Sequence, residues 1–316
     1  VNLTKIEWCS RNDGTHGFSA NPLKYRDASG NVVWGCIHAS EGCRHCYAEA
    51  LAKRYGRGGP FTAEAIKGLT PFLDEAELHK MLTAKTIGGV QVSGSRCFVG
   101  DMTDMFGPWV PDELLDRLFA VFALRPDVTW MTLTKRAERM REYFAAEFVD
   151  RSYEITCGML AFAKPPMPKP VHIPRHLTAR LPLKNAWMGV SVENQDALYR
   201  VDHLKDTPAA VRFVSFEPLL EDLGALMLDG IQWAIVGGES GPGARPCNVE
   251  WIRSIMAQCK AAGTACFVKQ LGSYPILDPR YDRSISGYTR KLRDRKGGDI
   301  QEWPEDLRVR EFPEVR

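Results

Sequence analysis

The sequence predicts an α/β protein built on a parallel sheet, because short apolar, β-branched runs end in polar or glycine residues, helical spacing follows each run, and the cycle repeats along most of the chain. Strands are expected at Val32–Trp34, Cys97–Gly100, Val128–Leu133, Ala186–Val192, Val211–Phe216, Trp233–Val236 and Ala265–Val268. Helices are expected at Glu49–Tyr55, Asp112–Ala123, Lys135–Phe144, Gln195–Leu204 and Glu250–Ala262. Near-continuous apolar strands alternating with helices imply a parallel sheet covered by helices. The strand ends repeat a theme: Gly100-Asp101-Met102-Thr103-Asp104, Thr132-Leu133-Thr134-Lys135, Ser191-Val192-Glu193-Asn194, Ser215-Phe216-Glu217-Pro218, Gly237-Gly238-Glu239-Ser240 and Lys269-Gln270. In a partial or near-complete (β/α) barrel such ends converge on one face, where the chemistry of these barrels sits. Any one of these groups reads equally well as a helix cap or turn; the succession is harder to assign that way.

Two segments interrupt the repeat. Between Ile155 and Val192 there is no acidic residue, while Lys164, Lys169, Arg175, Arg180 and Lys184 occur with His172 and His176 among prolines, which predicts an extended basic insertion over about 155–185. Residues 272–316 read as a C-terminal appendage packed on a barrel of residues 1–271, rich in Arg, Lys and Tyr from Arg280 to Lys296 and then acidic and aromatic.

At 316 residues, with 44% apolar and 25% charged residues, the chain can bury a large core, and its composition does not suggest disorder. The N-terminal residues lack the basic start and apolar run of a signal peptide, and no stretch approaches the roughly 18 apolar residues of a membrane span. A cytoplasmic location without membrane attachment is expected. Nine cysteines without the even spacing of a secreted scaffold suggest thiols kept reduced. A net charge of +2 is too small to argue for a nucleic-acid partner by itself. No repeat or heptad points to an oligomer, so the oligomeric state stays open.

The strongest chemical signal is Gly35-Cys36-Ile37-His38-Ala39-Ser40-Glu41-Gly42-Cys43-Arg44-His45-Cys46-Tyr47-Ala48, which gathers three thiols in one loop after the first expected strand. Soft sulfur ligands select iron–sulfur clusters, zinc or copper(I), so residue type alone leaves the metal open. A closed zinc site wants a fourth ligand, for which His38 or His45 is available. Three cysteines on a four-iron cluster leave one iron open to bind and reduce a cosubstrate.

This loop, placed early in a (β/α) barrel, resembles the radical S-adenosylmethionine (SAM) superfamily, and differs from its usual three-cysteine pattern by a longer first interval. The chain is further similar to a phage-associated three-cysteine branch, through Gly42-Cys43-Arg44-His45-Cys46-Tyr47-Ala48, Gly100-Asp101-Met102-Thr103-Asp104-Met105-Phe106, Leu133-Thr134-Lys135-Arg136, Gly189-Val190-Ser191-Val192-Glu193-Asn194, Phe216-Glu217-Pro218-Leu219 and Gly237-Gly238-Glu239-Ser240-Gly241. Some members of that branch accompany thymidine hypermodification in phage DNA.

The resemblance implies a barrel of the radical SAM type and a [4Fe–4S] cluster on Cys36, Cys43 and Cys46. It implies reductive cleavage of SAM to a 5′-deoxyadenosyl radical, and an electron donor such as flavodoxin or ferredoxin in a bacterial host. By the same analogy Asp101 and Thr103 receive the SAM amino group, Thr134 and Lys135 meet its carboxylate, Ser191, Glu193 and Asn194 hold the ribose, and His45 or Tyr47 lies near the adenine. Each of these also reads as an ordinary cap or solvated side chain. Glu217 and Glu239 are candidate catalytic contacts to substrate or, alternatively, buried partners of Arg and Lys. The remaining cysteines read as buried small apolar residues.

Basic charge in 164–184 and 280–296, beside Tyr281 and Tyr288, suits a DNA backbone and an extruded base. The family association makes isomerisation of glycinyl-thymidine the concrete expectation. A radical SAM enzyme of a free metabolite, peptide or RNA, and a zinc-stabilised nucleic-acid-binding module, are the rival readings.

Overall fold

The computed structural model describes residues 1–145, 150–162, 178–277 and 292–314. Lys164, Lys169, Arg175, His172 and His176 of the basic insertion, and most of the 280–296 segment with Tyr281 and Tyr288, lie outside these described residues.

The protein is a mixed α/β structure on an eight-stranded, mostly parallel sheet. Its strands are β1 (Asn2–Leu3), β2 (Phe18–Ala20), β3 (Arg96–Val99), β4 (Thr129–Thr134), β5 (Ala186–Ser191), β6 (Val211–Phe216), β7 (Trp233–Gly237) and β8 (Ala265–Gln270), and their order across the sheet follows their order in the chain. The β1–β2 pair is antiparallel, and β2–β3, β3–β4, β6–β7 and β7–β8 are parallel. Among the described residues no ladder joins β8 back to β1, so no closed barrel is formed. No helix among them is long and apolar enough to cross a membrane.

The chain divides into two compact units. The first comprises residues 1–38, 46–188 and 206–210. Its helices include α1 (Tyr47–Arg54), α2 (Glu75–Thr83), α3 (Asp112–Leu124), α4 (Ala137–Ala145) and α5 (Arg151–Ala161). Helix α3 starts after Pro111 with Asp112 and Glu113 in its first turn, where negative charge suits the dipole. Its Leu115, Leu118, Phe119 and Phe122 are buried, and Phe122 stacks on Trp130 of β4 with centroids 5.1 Å apart. Each such side chain contributes about 1.5–3 kcal/mol by leaving water. The polar exception in this core is complete: Arg151 donates to both oxygens of Asp116 at 3.0 and 3.1 Å, and the Tyr143 hydroxyl donates to Asp116 at 2.8 Å.

The second unit comprises residues 39–45, 189–205 and 211–316, with helices α6 (Tyr199–Lys205) and α7 (Val249–Ala262). Asn248 caps α7 by accepting the Glu250 N–H at 3.0 Å, and Gly263 ends it at φ 70°, a left-handed position that glycine fills without strain. The described part of the tail lies along β8. Val268 N–H donates to the Val309 carbonyl at 2.8 Å, and the Trp233 indole donates to the Glu311 carbonyl at 2.9 Å.

Two local expectations are corrected. Val32–Val33 is a strand, but it pairs with Leu23–Arg26 in a small antiparallel sheet that also holds Thr70–Leu73, and it is not in the large sheet. The reason is the intervening turn: Asp27 accepts the N–H groups of Ser29 and Asn31, each at 2.9 Å, and folds Val32, 41% exposed, back beside Arg26. The large-sheet strand before the cysteine loop is therefore the three-residue β2. The insertion, read as extended from Ile155, begins as helix α5 with Ile155 and Met159 buried four residues apart. Helical apolar spacing governs there, and the prolines start only at Pro165.

Candidate functional site

The cysteine segment contributes to both units: Cys36 and Cys46 belong to the first, Cys43 to the second. In the first unit, Cys36 and Cys46 pack with Trp34 and Leu51 against buried Ala48, Ala52, Phe61 and Met102. Cys46 occupies the N-cap of α1, where the helix dipole favours negative charge.

The two carbonyls flanking Cys36 are both held by side chains that follow sheet strands. After β3, the Thr103 hydroxyl donates to Gly35 O at 2.6 Å and lies 3.1 Å from the Tyr25 hydroxyl. Tyr25 also accepts from the Trp109 indole at 2.8 Å, and burial pushes its phenol up to about 12. After β4, Arg136 donates to Ile37 O at 2.7 Å, with its guanidinium 4.7 Å over the Trp109 ring. Asp104 fixes Arg136 and its strand end together. It accepts from the Thr134 hydroxyl at 2.6 Å, and from Phe106 N–H, Lys135 N–H and Arg136 Nη1 at 3.1 Å each. Asp101 accepts from the Asn21 amide, and burial raises its carboxyl above the usual range. The Tyr47 hydroxyl donates to Asp101 O at 2.5 Å. His38 lies 2.8 Å from Glu49, which also accepts the Phe61 N–H at 2.8 Å.

In the second unit, the segment Ala39–His45 is held by two carboxylates that follow strands. Glu193, after β5, is fully buried and accepts from the Ser40 hydroxyl, from Gly42 N–H at 3.2 Å and from Arg200 at 2.9 Å. Glu239, after β7 and 6% exposed, lies 3.1 Å from His45 Nδ1 and accepts from Arg245 Nη2 at 2.6 Å, Nε at 3.0 Å and N–H at 2.8 Å. Burial works to raise the Glu239 carboxyl, but the Arg245 and His45 hydrogen bonds outweigh it and hold the group down at about 2. Arg245 also reaches Glu41 at 3.2 Å. Glu217, after β6, accepts from Lys269 at 2.6 Å and from Gln270 at 3.0 Å.

Sequence-predicted residues thus fall into two groups. The side chains of Thr103, Thr134, Glu193, Glu217 and Glu239 already have protein partners, and Thr103, Glu193 and Glu239 bond the cysteine segment itself. Ser191 is buried, and its carbonyl accepts from Arg200 at 2.8 Å. Two groups are open: the Lys135 ammonium forms no ion pair among the described residues, and Asn194 Oδ1 is buried with no partner among them. Sequence reasoning missed Asp104, Arg136, Arg200, Arg245, Tyr25 and Ser40. Asp104 and Arg136 stood inside the quoted motifs; Arg200 carried one faint signal, a cation on the helix that follows a strand-end acid.

None of the nine cysteines is in a disulfide; Cys36, Cys43 and Cys46 are half-buried, Cys157 is exposed, and the other five are buried. Three soft, available donors in one short segment fit a thiolate-bound metal cluster. Among the described residues no set of three or more His, Cys, Asp or Glu side chains is already gathered as a metal cage. The chain matches a family described as protein of unknown function (DUF5131) over residues 20–301. No curated protein and no solved structure matches it. Because that match runs through most of the sequence, from β2 to beyond the last sheet strand, the chain belongs to the DUF5131 family.

Proposed function

We propose that this protein is a radical SAM enzyme in which Cys36, Cys43 and Cys46 hold a [4Fe–4S] cluster and the large sheet acts as a partial (β/α) barrel. The bound cluster would supply one electron to open the sulfonium of SAM and so start radical chemistry. The observation that carries the reading is three half-buried thiols, none in a disulfide, on a segment whose backbone is held at successive points by strand-end side chains. Such holding lets thiolates meet a cluster without first ordering a mobile loop.

The chain's own residues divide the remaining work. Thr103 fixes the peptide group entering Cys36 and Arg136 the carbonyl of the next residue, Ile37; Glu193 fixes the turn before Cys43, and Glu239 fixes His45 before Cys46. The Lys135 ammonium supplies a cation for a carboxylate, and Asn194 Oδ1 supplies an acceptor for a hydroxyl, which match two of the polar features a SAM molecule presents. The apolar bed under Cys36 and Cys46 excludes water from one side of the thiols.

The substrate proposed is a hypermodified thymine in phage DNA, with isomerisation of glycinyl-thymidine from nitrogen-linked to carbon-linked glycine as the reaction. The family resemblance and the acid-free basic stretch before β5 support it. Reconstituted enzyme, given SAM, reductant and DNA carrying that base, should change the retention of the nucleoside at constant mass. An unchanged nucleoside alongside 5′-deoxyadenosine release would move the substrate to a metabolite, peptide or RNA, and colourless zinc-containing protein would favour a nucleic-acid-binding module.

A further inference from the structure

We infer that Glu193 is a positioning residue for Cys43. Its functional meaning rests on the cluster reading above, but its geometry stands within the second unit alone.

A fully buried carboxylate must be balanced and have its lone pairs filled. Arg200, itself buried, provides the balance through Oε2 at 2.9 Å while also donating to Ser191 O at 2.8 Å. The other oxygen, Oε1, faces the cysteine segment and takes the Ser40 hydroxyl and the Gly42 N–H. The segment closes on itself at the same place: Cys43 N–H donates to Ser40 O at 2.9 Å, and Ala39 N–H donates to Cys43 Sγ at 3.4 Å. The result is a compact turn bolted to a carboxylate on the side from which Cys43 departs.

Gly42 shows how close the fit is. A Cβ placed there would lie 2.8 Å from Glu193 Oε1 and 2.9 Å from Cδ, so the turn rests directly on the carboxylate and no side chain fits between. No residue from Ala39 to His45 is buried, so the segment has no apolar anchor and polar holds set its position. An acid that contacted a ligand would offer a free oxygen toward it; here Oε1 is already engaged by the loop.

The test uses loop-side variants, Ser40→Ala and Gly42→Ala, which leave the buried Glu193–Arg200 pair in place. Full-length, metal-free, reduced protein is pulsed with iodoacetamide, and each cysteine is followed by peptide mass spectrometry. Cys43 should react roughly tenfold faster in Gly42→Ala, the scale set by losing a hydrogen bond to a charged group, and a few-fold faster in Ser40→Ala. Cys157 should react as in wild type, and the melting temperature should fall by no more than about 2–4 °C, the shift that about 1 kcal/mol gives a large domain, so both variants stay folded. Unchanged Cys43 reactivity in both folded variants overturns the inference. Anaerobic reconstitution with iron and sulfide then separates the two claims. Wild-type protein that takes up no iron defeats the cluster reading while leaving the alkylation result to judge Glu193. Wild-type protein that takes it up, with variants giving the same reduced-cluster resonance spectrum, defeats the role of Glu193 alone; a shifted spectrum in the variants supports it.

Discussion

Replacing Asp104 probes how the first unit holds Cys36. This carboxylate, 9% exposed, accepts four hydrogen bonds, two on each oxygen, and one of them restrains the guanidinium that reaches Ile37 O. Alanine leaves a half-buried Arg136 without its counter-charge, together with a buried Thr134 hydroxyl and two backbone N–H groups. Removing one partner of a buried pair costs about 3–5 kcal/mol, and the Trp109 face and Ile37 carbonyl retained by Arg136 place the loss near the lower end, about 3 kcal/mol. Asparagine keeps the shape but must turn an NH₂ group toward two donors whichever way it is oriented, for a cost of about 2 kcal/mol. Urea unfolding followed by circular dichroism reads both values, and alkylation of Cys36, with Cys157 as control, reads the loosened loop. Losses below about 0.5 kcal/mol in both variants, the range of an ordinary surface change, would refute the reasoning.

Other consequences are as direct. Gly238→Ala puts a Cβ 2.4 Å from Leu271 O, a backbone atom that cannot swing away, so it should cost about 2–3 kcal/mol in the same assay; a neutral outcome would mean that the chain around Leu271 yields freely. Glu239 has a folded-state pKa of about 2 against an ordinary 4.5, so its ionised form adds stability above pH 4.5 that is lost as the pH falls through that interval toward 2. Glu239→Gln should therefore flatten the stability profile between those values, and a profile parallel to wild type would show that the Arg245–His45 cradle contributes nothing. If DNA is the substrate, binding to duplex should weaken as salt rises, and each of Lys164→Glu, Lys169→Glu and Arg175→Glu should reduce the logarithmic salt slope by about one; salt-independent binding would exclude phosphate contacts by that stretch.

Much of the frame was legible because it rests on local pattern. The strands β3 to β8 fall within two residues of their apolar runs, since fully buried parallel strands write their burial directly into sequence. β2 was hidden: Phe18-Ser19-Ala20 is too short for its alternation to stand out, while Val32-Val33 looks more like a strand and is one, in a different sheet. Helix α2 went unread although Asp74 caps it and Leu78, Met81 and Leu82 form its buried face. The gathering of three cysteines in one segment was legible, and the cluster it would hold is a proposal. The strand-end acids were legible only as acids, because a glutamate after a strand reads the same whether it meets a ligand or a loop. Glu193 and Glu239 turn toward residues more than a hundred positions away, Ser40 and His45, and that pairing is tertiary information that no local window contains.

Iron and sulfide analysis of anaerobically reconstituted protein, with 5′-deoxyadenosine measured after adding SAM and dithionite, tests the proposed cluster most directly. Wild-type and Cys157→Ala protein should carry about four irons per chain and release the nucleoside, while the Cys36→Ala, Cys43→Ala, Cys46→Ala triple variant should do neither. An iron-free wild-type protein, or a triple variant that binds iron and splits SAM as well as wild type, would contradict the account.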